Sequence, residues 1–130
     1  MEAPYFEDYI EGEVIQTPGR TIAETDIINF AGFTGDWAQM HTNAEFAKDG
    51  FFGRRIAHGA LSFAISTGLV VRSGILHEET TIGFYGVDNM RYLSPVLIGD
   101  TITGNIRVMG KKDKGKNGVV DPEVKVTNQR

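Results

Sequence analysis

Two periods run through the apolar positions of this chain. In Glu24 to Ala31, Ile27, Phe30 and Ala31 recur at helical spacing, and Glu24 and Asp26 sit where acidic side chains favour a helix N-terminus. Gly32 and Gly35 are expected to end that helix. Ahead of it, Glu13-Val14-Ile15-Gln16-Thr17 predicts a short strand stopped by the turn pair Pro18-Gly19. Thr42-Asn43-Ala44-Glu45 fits a capping box and predicts a second short helix just after His41. The glycines and charges of Gly50-Phe51-Phe52-Gly53-Arg54-Arg55 read as a loop. From His58 to Val71 the chain is apolar on nearly every face and rich in small residues, too long for an ordinary strand. A buried helix is predicted there, with free backbone N–H groups near His58-Gly59. Beyond Arg72 the period becomes two. Thr81–Tyr85 is β-rich, and Tyr92 follows before a break at Ser94-Pro95. Asp100–Met109 alternates, with Ile102, Ile106 and Val108 on one face and Thr101, Thr103, Asn105 and Arg107 on the other. A polar turn from Lys111 to Gly118 leads to a last alternating strand, Val124-Lys125-Val126. Long antiparallel strands after one buried helix predict an α+β class, a sheet wrapped around that helix.

Composition narrows the function classes. A chain of 130 residues suits one domain with a real core. Hydrophobic residues at 41% and charged residues at 23% place it among globular chains. No apolar run approaches the roughly 18–20 residues of a membrane helix. Met1-Glu2-Ala3-Pro4 lacks the basic start and apolar core of a signal peptide. With no cysteine there is neither a disulfide framework nor thiolate chemistry, so a cytoplasmic location is expected. A formal net charge of −4, without a basic patch interleaved with aromatics, argues against nucleic acid and favours a small-molecule or protein partner.

The chemistry concentrates between Phe33 and Phe46, where Asp36 and His41 stand five residues apart between two predicted helices. A carboxylate and an imidazole so placed can share a water and exchange protons with it. The same two residues can instead cap a turn and satisfy a local hydrogen bond. Gly59, at the start of the buried helix, is either a backbone N–H donor to a developing oxyanion or a glycine demanded by close packing. His58 reads as a histidine bonded to backbone to fix its loop, and His77, between acidic neighbours, as a solvated one. Asp36, His41 and His58 are suitable metal ligands by type, yet no two are three or four residues apart, and no metal is expected. Arg54 and Arg55 fit phosphate recognition as well as a solvated loop. The lysines at 111–116 read as a soluble hairpin tip.

Gly35-Asp36-Trp37-Ala38-Gln39-Met40-His41, Ile56-Ala57-His58-Gly59 and Tyr92-Leu93-Ser94-Pro95-Val96-Leu97-Ile98-Gly99-Asp100-Thr101 together resemble the MaoC-like, R-specific enoyl-CoA hydratases of the hot-dog fold. The resemblance spans most of the chain as a single domain. It departs in two places. Ala38 and Gln39 stand where the family has Asn and Pro, and one further strand is expected after Val126-Thr127-Asn128-Gln129. Either this sequence stops short of that strand or another element fills its place; an open sheet edge would otherwise invite aggregation.

The resemblance implies reversible hydration of a 2-enoyl thioester to the (R)-3-hydroxyacyl form. Asp36 and His41 would act on one water and Gly59 N–H on the thioester oxygen. Trp37 and Met40 would meet the acyl chain, Arg54 and Arg55 the CoA phosphates, and Thr67 would support the acidic residue, although a Thr bonded to its own helix carbonyl is the simpler account. No cofactor is implied beyond the CoA or acyl-carrier thioester as substrate, and a homodimer or dimer of dimers is expected, with no membrane or nucleic-acid partner. Two other readings stand beside it. One is a non-catalytic acyl-thioester-binding module. The other is a hot-dog thioesterase, disfavoured because Ala60–Val71 contains no Asp or Glu.

Overall fold

The structure is a computed structural model that describes residues 3–130. After a short 3-10 turn (Phe6–Asp8) come β1 (Val14–Gln16), β2 (Arg20–Thr21), α1 (Glu24–Thr34), α2 (Gln39–Thr42), α3 (Ala44–Ala47), α4 (Gly59–Arg72), β3 (Thr101–Asp113) and β4 (Gly118–Thr127). All strand pairing is antiparallel, so the class is α+β. Strand β3 carries the sheet: β1 and β2 pair with successive stretches of it, and β4 forms a hairpin with it. Among the described residues no helix is long and apolar enough to cross a membrane.

The chain divides into two compact units, interleaved in sequence. One comprises the chain up to Gly19, Ser66–Met90 and Thr103–Thr127. Its core is Ile75, Ile106 and Val108, against which Tyr9, Ile15, Val70, Val120 and Val124 pack. The period-two pattern explains this directly, because alternate residues of β3 face one side and are buried. Gly104 continues that face. A β-carbon there would come within 3.1 Å of Thr17 Cγ2, so glycine allows the close approach without displacing that side chain, and Gly104 N–H donates to Thr17 Oγ1 at 2.8 Å. Tyr9 Oη donates to the Ile75 carbonyl at 2.6 Å, and burial pushes its phenol above the usual tyrosine range, with the Asp8 carboxylate adding to the shift.

The second unit comprises Arg20–Ile65, Arg91–Ile102 and Asn128–Arg130. Ile22, Ile27, Ala31, Leu61, Ile65, Leu97 and Ile102 are its buried apolar residues that matter most for the site. Helix α1 starts where Asp26 Oδ2 accepts the Ala23 N–H at 2.8 Å and stops at Gly35, whose left-handed φ of 79° lets its N–H reach the Ala31 carbonyl. Asp100, 2% exposed, accepts hydrogen bonds from Leu97 N–H (2.9 Å), Gln129 Nε2 (3.1 Å) and the Arg130 guanidinium (2.8 Å).

Several expectations are corrected. Helix α1 runs through Gly32 to Thr34 and ends at Gly35 alone. The cap near His41 moves by one residue. Asn43 Oδ1, not the Thr42 hydroxyl, accepts the N–H of Phe46, while Thr42 Oγ1 donates back to the carbonyls of Trp37 and Ala38. His41 therefore lies inside α2 rather than at a helix entrance. Strands β3 and β4 extend to Asp113 and from Gly118, so the turn between them is shorter than 111–118. Helix α4 is buried on one face only. Leu61, Ile65 and Leu69 are covered, whereas Ala60, Ala64, Thr67, Gly68 and Val71 are exposed. Thr81–Tyr85 and Tyr92 form no strand, because a β-rich segment becomes a strand only against a ladder partner.

Candidate active site

The predicted site residues of the second unit gather where the turn after α1, α2 and the segment leading into α4 meet. Residues 55–57 are laced to α2 through three contacts. Ile56 N–H donates to the Met40 carbonyl at 3.2 Å, Arg55 Nε to the His41 carbonyl at 2.8 Å, and His41 Nδ1 lies 2.8 Å from the Ile56 carbonyl. A carbonyl oxygen can only accept, so His41 carries a proton on Nδ1, which in the neutral ring leaves the lone pair on Nε2. His41 is 7% exposed.

Asp36 follows the left-handed Gly35. Its backbone N–H donates to Thr34 Oγ1, its Oδ1 accepts the Ala38 N–H at 3.2 Å, and its carbonyl meets His58 Nε2 at 2.9 Å. The side chain is exposed, unlike those of His41 and His58. The turn-capping carboxylate is thus present, whereas the imidazole is bonded to the Ile56 carbonyl of a different segment rather than locally. They also stand together, since one donor atom each of Asp36, His41 and His58 lie within 4.8 Å of one another.

That trio has the residue types of a metal site but not the directions of one. The His41 and His58 rings stack with centroids 3.9 Å apart and planes 29° from parallel. Imidazole lone pairs lie in the ring plane, so the two stacked rings offer theirs in nearly parallel planes, a poor match to convergence on one ion, and His58 Nε2 already faces the Asp36 carbonyl. A carboxylate beside one imidazole with a free lone pair suits proton exchange with a shared water better.

Gly59 opens α4, and its N–H makes no hydrogen bond among the described residues. Packing favours glycine here as well: a β-carbon would lie 3.2 Å from the Tyr92 ring, which would have to yield slightly. That neighbour was not anticipated, and only the Tyr92–Pro95 motif hinted at it. Trp37 and Met40 are half exposed beside the pair in sequence. The two arginines divide. Arg55 Nη1 pairs with Glu24 Oε1 at 2.5 Å while its Nε holds His41, so its fork is occupied in positioning α2. Arg54 has no such partner among the described residues, and it lines a cavity of about 280 Å³ with Ala44, Lys48, Gly53, Arg55 and Ile98. His58 is the loop-fixing histidine expected from the sequence. Thr67 is exposed, on the part of α4 that belongs to the first unit.

The chain is similar to known proteins of one family. The MaoC like domain family matches residues 6–130. Protein MaoC of Klebsiella aerogenes is 39% identical over 98 residues, which are 75% of this chain and 28% of that protein, so the chain spans under a third of that relative. The (R)-specific enoyl-CoA hydratase of Rhodospirillum rubrum is 39% identical over 107 residues, 82% of this chain and 70% of that one. Among solved structures, the monoamine oxidase regulatory protein of Archaeoglobus fulgidus superposes with a TM-score of 0.90 at 41% identity, covering 98% of this chain and 85% of that one. Helices with an antiparallel sheet, shared with these neighbours, make this a hot-dog fold. The chain belongs to the MaoC-like dehydratase domain family.

Proposed function

We propose that the protein hydrates a 2-enoyl thioester, carried on CoA or an acyl carrier, to the (R)-3-hydroxyacyl thioester, and catalyses the reverse dehydration. The observation that carries this reading is the pairing of the Asp36 carboxylate with a His41 ring whose Nδ1 is committed to the Ile56 carbonyl. Water held between the two groups would lose a proton to the pair as its oxygen bonds to C3. The C2=C3 electrons shift toward the thioester oxygen, where the unbonded Gly59 N–H at the α4 N-terminus would meet the growing charge. The pair then returns a proton to C2 and is regenerated. Trp37 and Met40 would line the acyl path, and Arg54 would meet a phosphate of the carrier. A homodimer or dimer of dimers is part of the same reading, supported by the exposed apolar stretch around Ile82 and Tyr85.

The test is hydration of crotonyl-CoA, followed by chiral analysis of the product. R product, lost in Asp36→Asn and His41→Gln, supports the reading; no hydration, or hydration indifferent to both substitutions, removes it. The non-catalytic thioester-binding module keeps one observation in its favour. Ala38 offers no polar side chain, and Asp36 Oδ1 already accepts the Ala38 N–H. Saturable CoA-thioester binding without turnover would select it.

A further inference from the structure

We propose that His58 is a positioning residue, holding the Asp36 backbone through a hydrogen bond to its carbonyl so that carboxylate and His41 ring stay in reacting register. The inference rests on the hydratase reading for its kinetic consequence, though not for its geometry. His58 is 2% exposed, and its Nδ1 is buried with no hydrogen-bond partner among the described residues. An orphaned buried nitrogen is a cost that an apolar ring of the same shape would avoid, so packing alone does not account for imidazole here. What imidazole supplies is the Nε2–H, 2.9 Å from the Asp36 carbonyl. That carbonyl can only accept, so the proton sits on Nε2 and the lone pair on the orphaned Nδ1.

The same ring lies flat on His41 at 3.9 Å and is backed by Phe30 at 4.8 Å, 59° from its plane. One side chain thus touches both members of the pair: one through its backbone, the other through its ring face. His41 is further tied to the chain just before His58 through the Ile56 carbonyl and Arg55 Nε. Asp36 has no comparable long-range tie besides His58, because its other bonds run to Thr34 and Ala38. Without the Nε2–H donor, the turn carrying the carboxylate would be held only by its immediate neighbours.

Two variants separate donor from plate. His58→Phe keeps the ring against His41 and Phe30, removes the orphaned nitrogen and loses the donor. His58→Gln restores an N–H near the Asp36 carbonyl without the ring. We expect His58→Phe to stay folded yet lose about 10- to 100-fold in kcat, with KM within about threefold, because small misplacements of reacting groups cost that much. We expect His58→Gln to recover most of the kcat. Amide hydrogen exchange supplies a readout independent of turnover: the Asp36 and Ala38 N–H groups should exchange about tenfold faster in His58→Phe than in His58→Gln. Wild-type kcat in a folded His58→Phe, or equal exchange in the two variants, overturns the proposal. If the wild-type protein itself hydrates nothing, the hydratase reading fails, and the exchange rates alone decide the role of His58.

Discussion

The ring of Tyr92 lies against Gly59 so closely that a β-carbon on that glycine would stand 3.2 Å from its Cε2. Tyr92 is also 55% exposed, so the ring has room to yield. Gly59→Ala should therefore cost less than a core overpacking, about 1 kcal/mol. In a Tyr92→Ala background that cost should disappear, because the crowding needs both partners. Denaturant unfolding of the four proteins of this cycle measures the coupling; additive effects would mean that Gly59 is not there to admit the ring.

Arg54 and Arg55 are neighbours in sequence with different work to do. Arg55 spans Glu24 and the His41 carbonyl, a fork that lysine cannot reproduce. Arg55→Lys should lower kcat roughly tenfold by loosening α2, with little dependence on the carrier. Arg54→Ala should leave kcat intact and raise KM for a CoA thioester about 3- to 10-fold, as expected for one lost, partly solvated phosphate contact. The Arg54 effect should shrink with added salt. Steady-state kinetics on crotonyl-CoA and on crotonyl-pantetheine, which lacks the nucleotide phosphates, separates the two.

How much of this was legible in the sequence depends on the range of the interaction. The buried face of β3 could be read from Ile102, Ile106 and Val108, because alternation in the chain maps directly onto burial. The start of α4 and the Asp36–His41 pairing were also legible, the latter through its flanking motifs. The cap was not: Thr42 and Asn43 are both good caps, and the choice falls to Asn43 because the Thr42 hydroxyl finds the Trp37 and Ala38 carbonyls just ahead of α2. Arg55 read as a phosphate ligand or part of a solvated loop, and its ties to Glu24 and the His41 carbonyl were not legible because these lie 31 and 14 residues away. Thr81–Tyr85 has strand-forming residues, but strand formation is a property of a pair, and composition does not reveal the partner.

Asp100 links stability to pH. Burial alone would raise its carboxyl pKa. The Leu97 N–H, the Gln129 amide, the Arg130 guanidinium and the Asn128 amide together outweigh burial and hold it below the usual carboxylate range. A folded pKa below the unfolded one means that the unfolded chain binds the proton more readily. The stabilisation is therefore fully present above the ordinary carboxylate range and is lost as pH falls through the lower folded value. Asp100→Asn should unfold with a flatter pH dependence over that acidic window, and at neutral pH it should be less stable by about 2 kcal/mol, the scale of hydrogen bonds to a charged group. Urea unfolding from neutral to acidic pH tests both; parallel curves for the two proteins would contradict the assignment.

Ile82 is 83% exposed and Tyr85 82%, in a β-rich stretch that pairs with no strand among the described residues. Apolar side chains so open to water, on backbone suited to a ladder, favour association with another strand. The proposed homodimer offers such a surface in the second copy, and burying these two large side chains would contribute about 3–6 kcal/mol per chain. Ile82→Lys with Tyr85→Lys should therefore shift the protein from dimer toward monomer in sedimentation velocity, with a loss of hydration that tracks the monomer fraction. Neither residue lies in the unit that holds Asp36, His41 and Gly59, so a monomeric double variant with full activity would show that the catalytic pair works within one chain. A wild-type protein that sediments as a monomer at all concentrations would remove the dimer from the proposed function while leaving the Asp36–His41 chemistry to be judged by turnover alone.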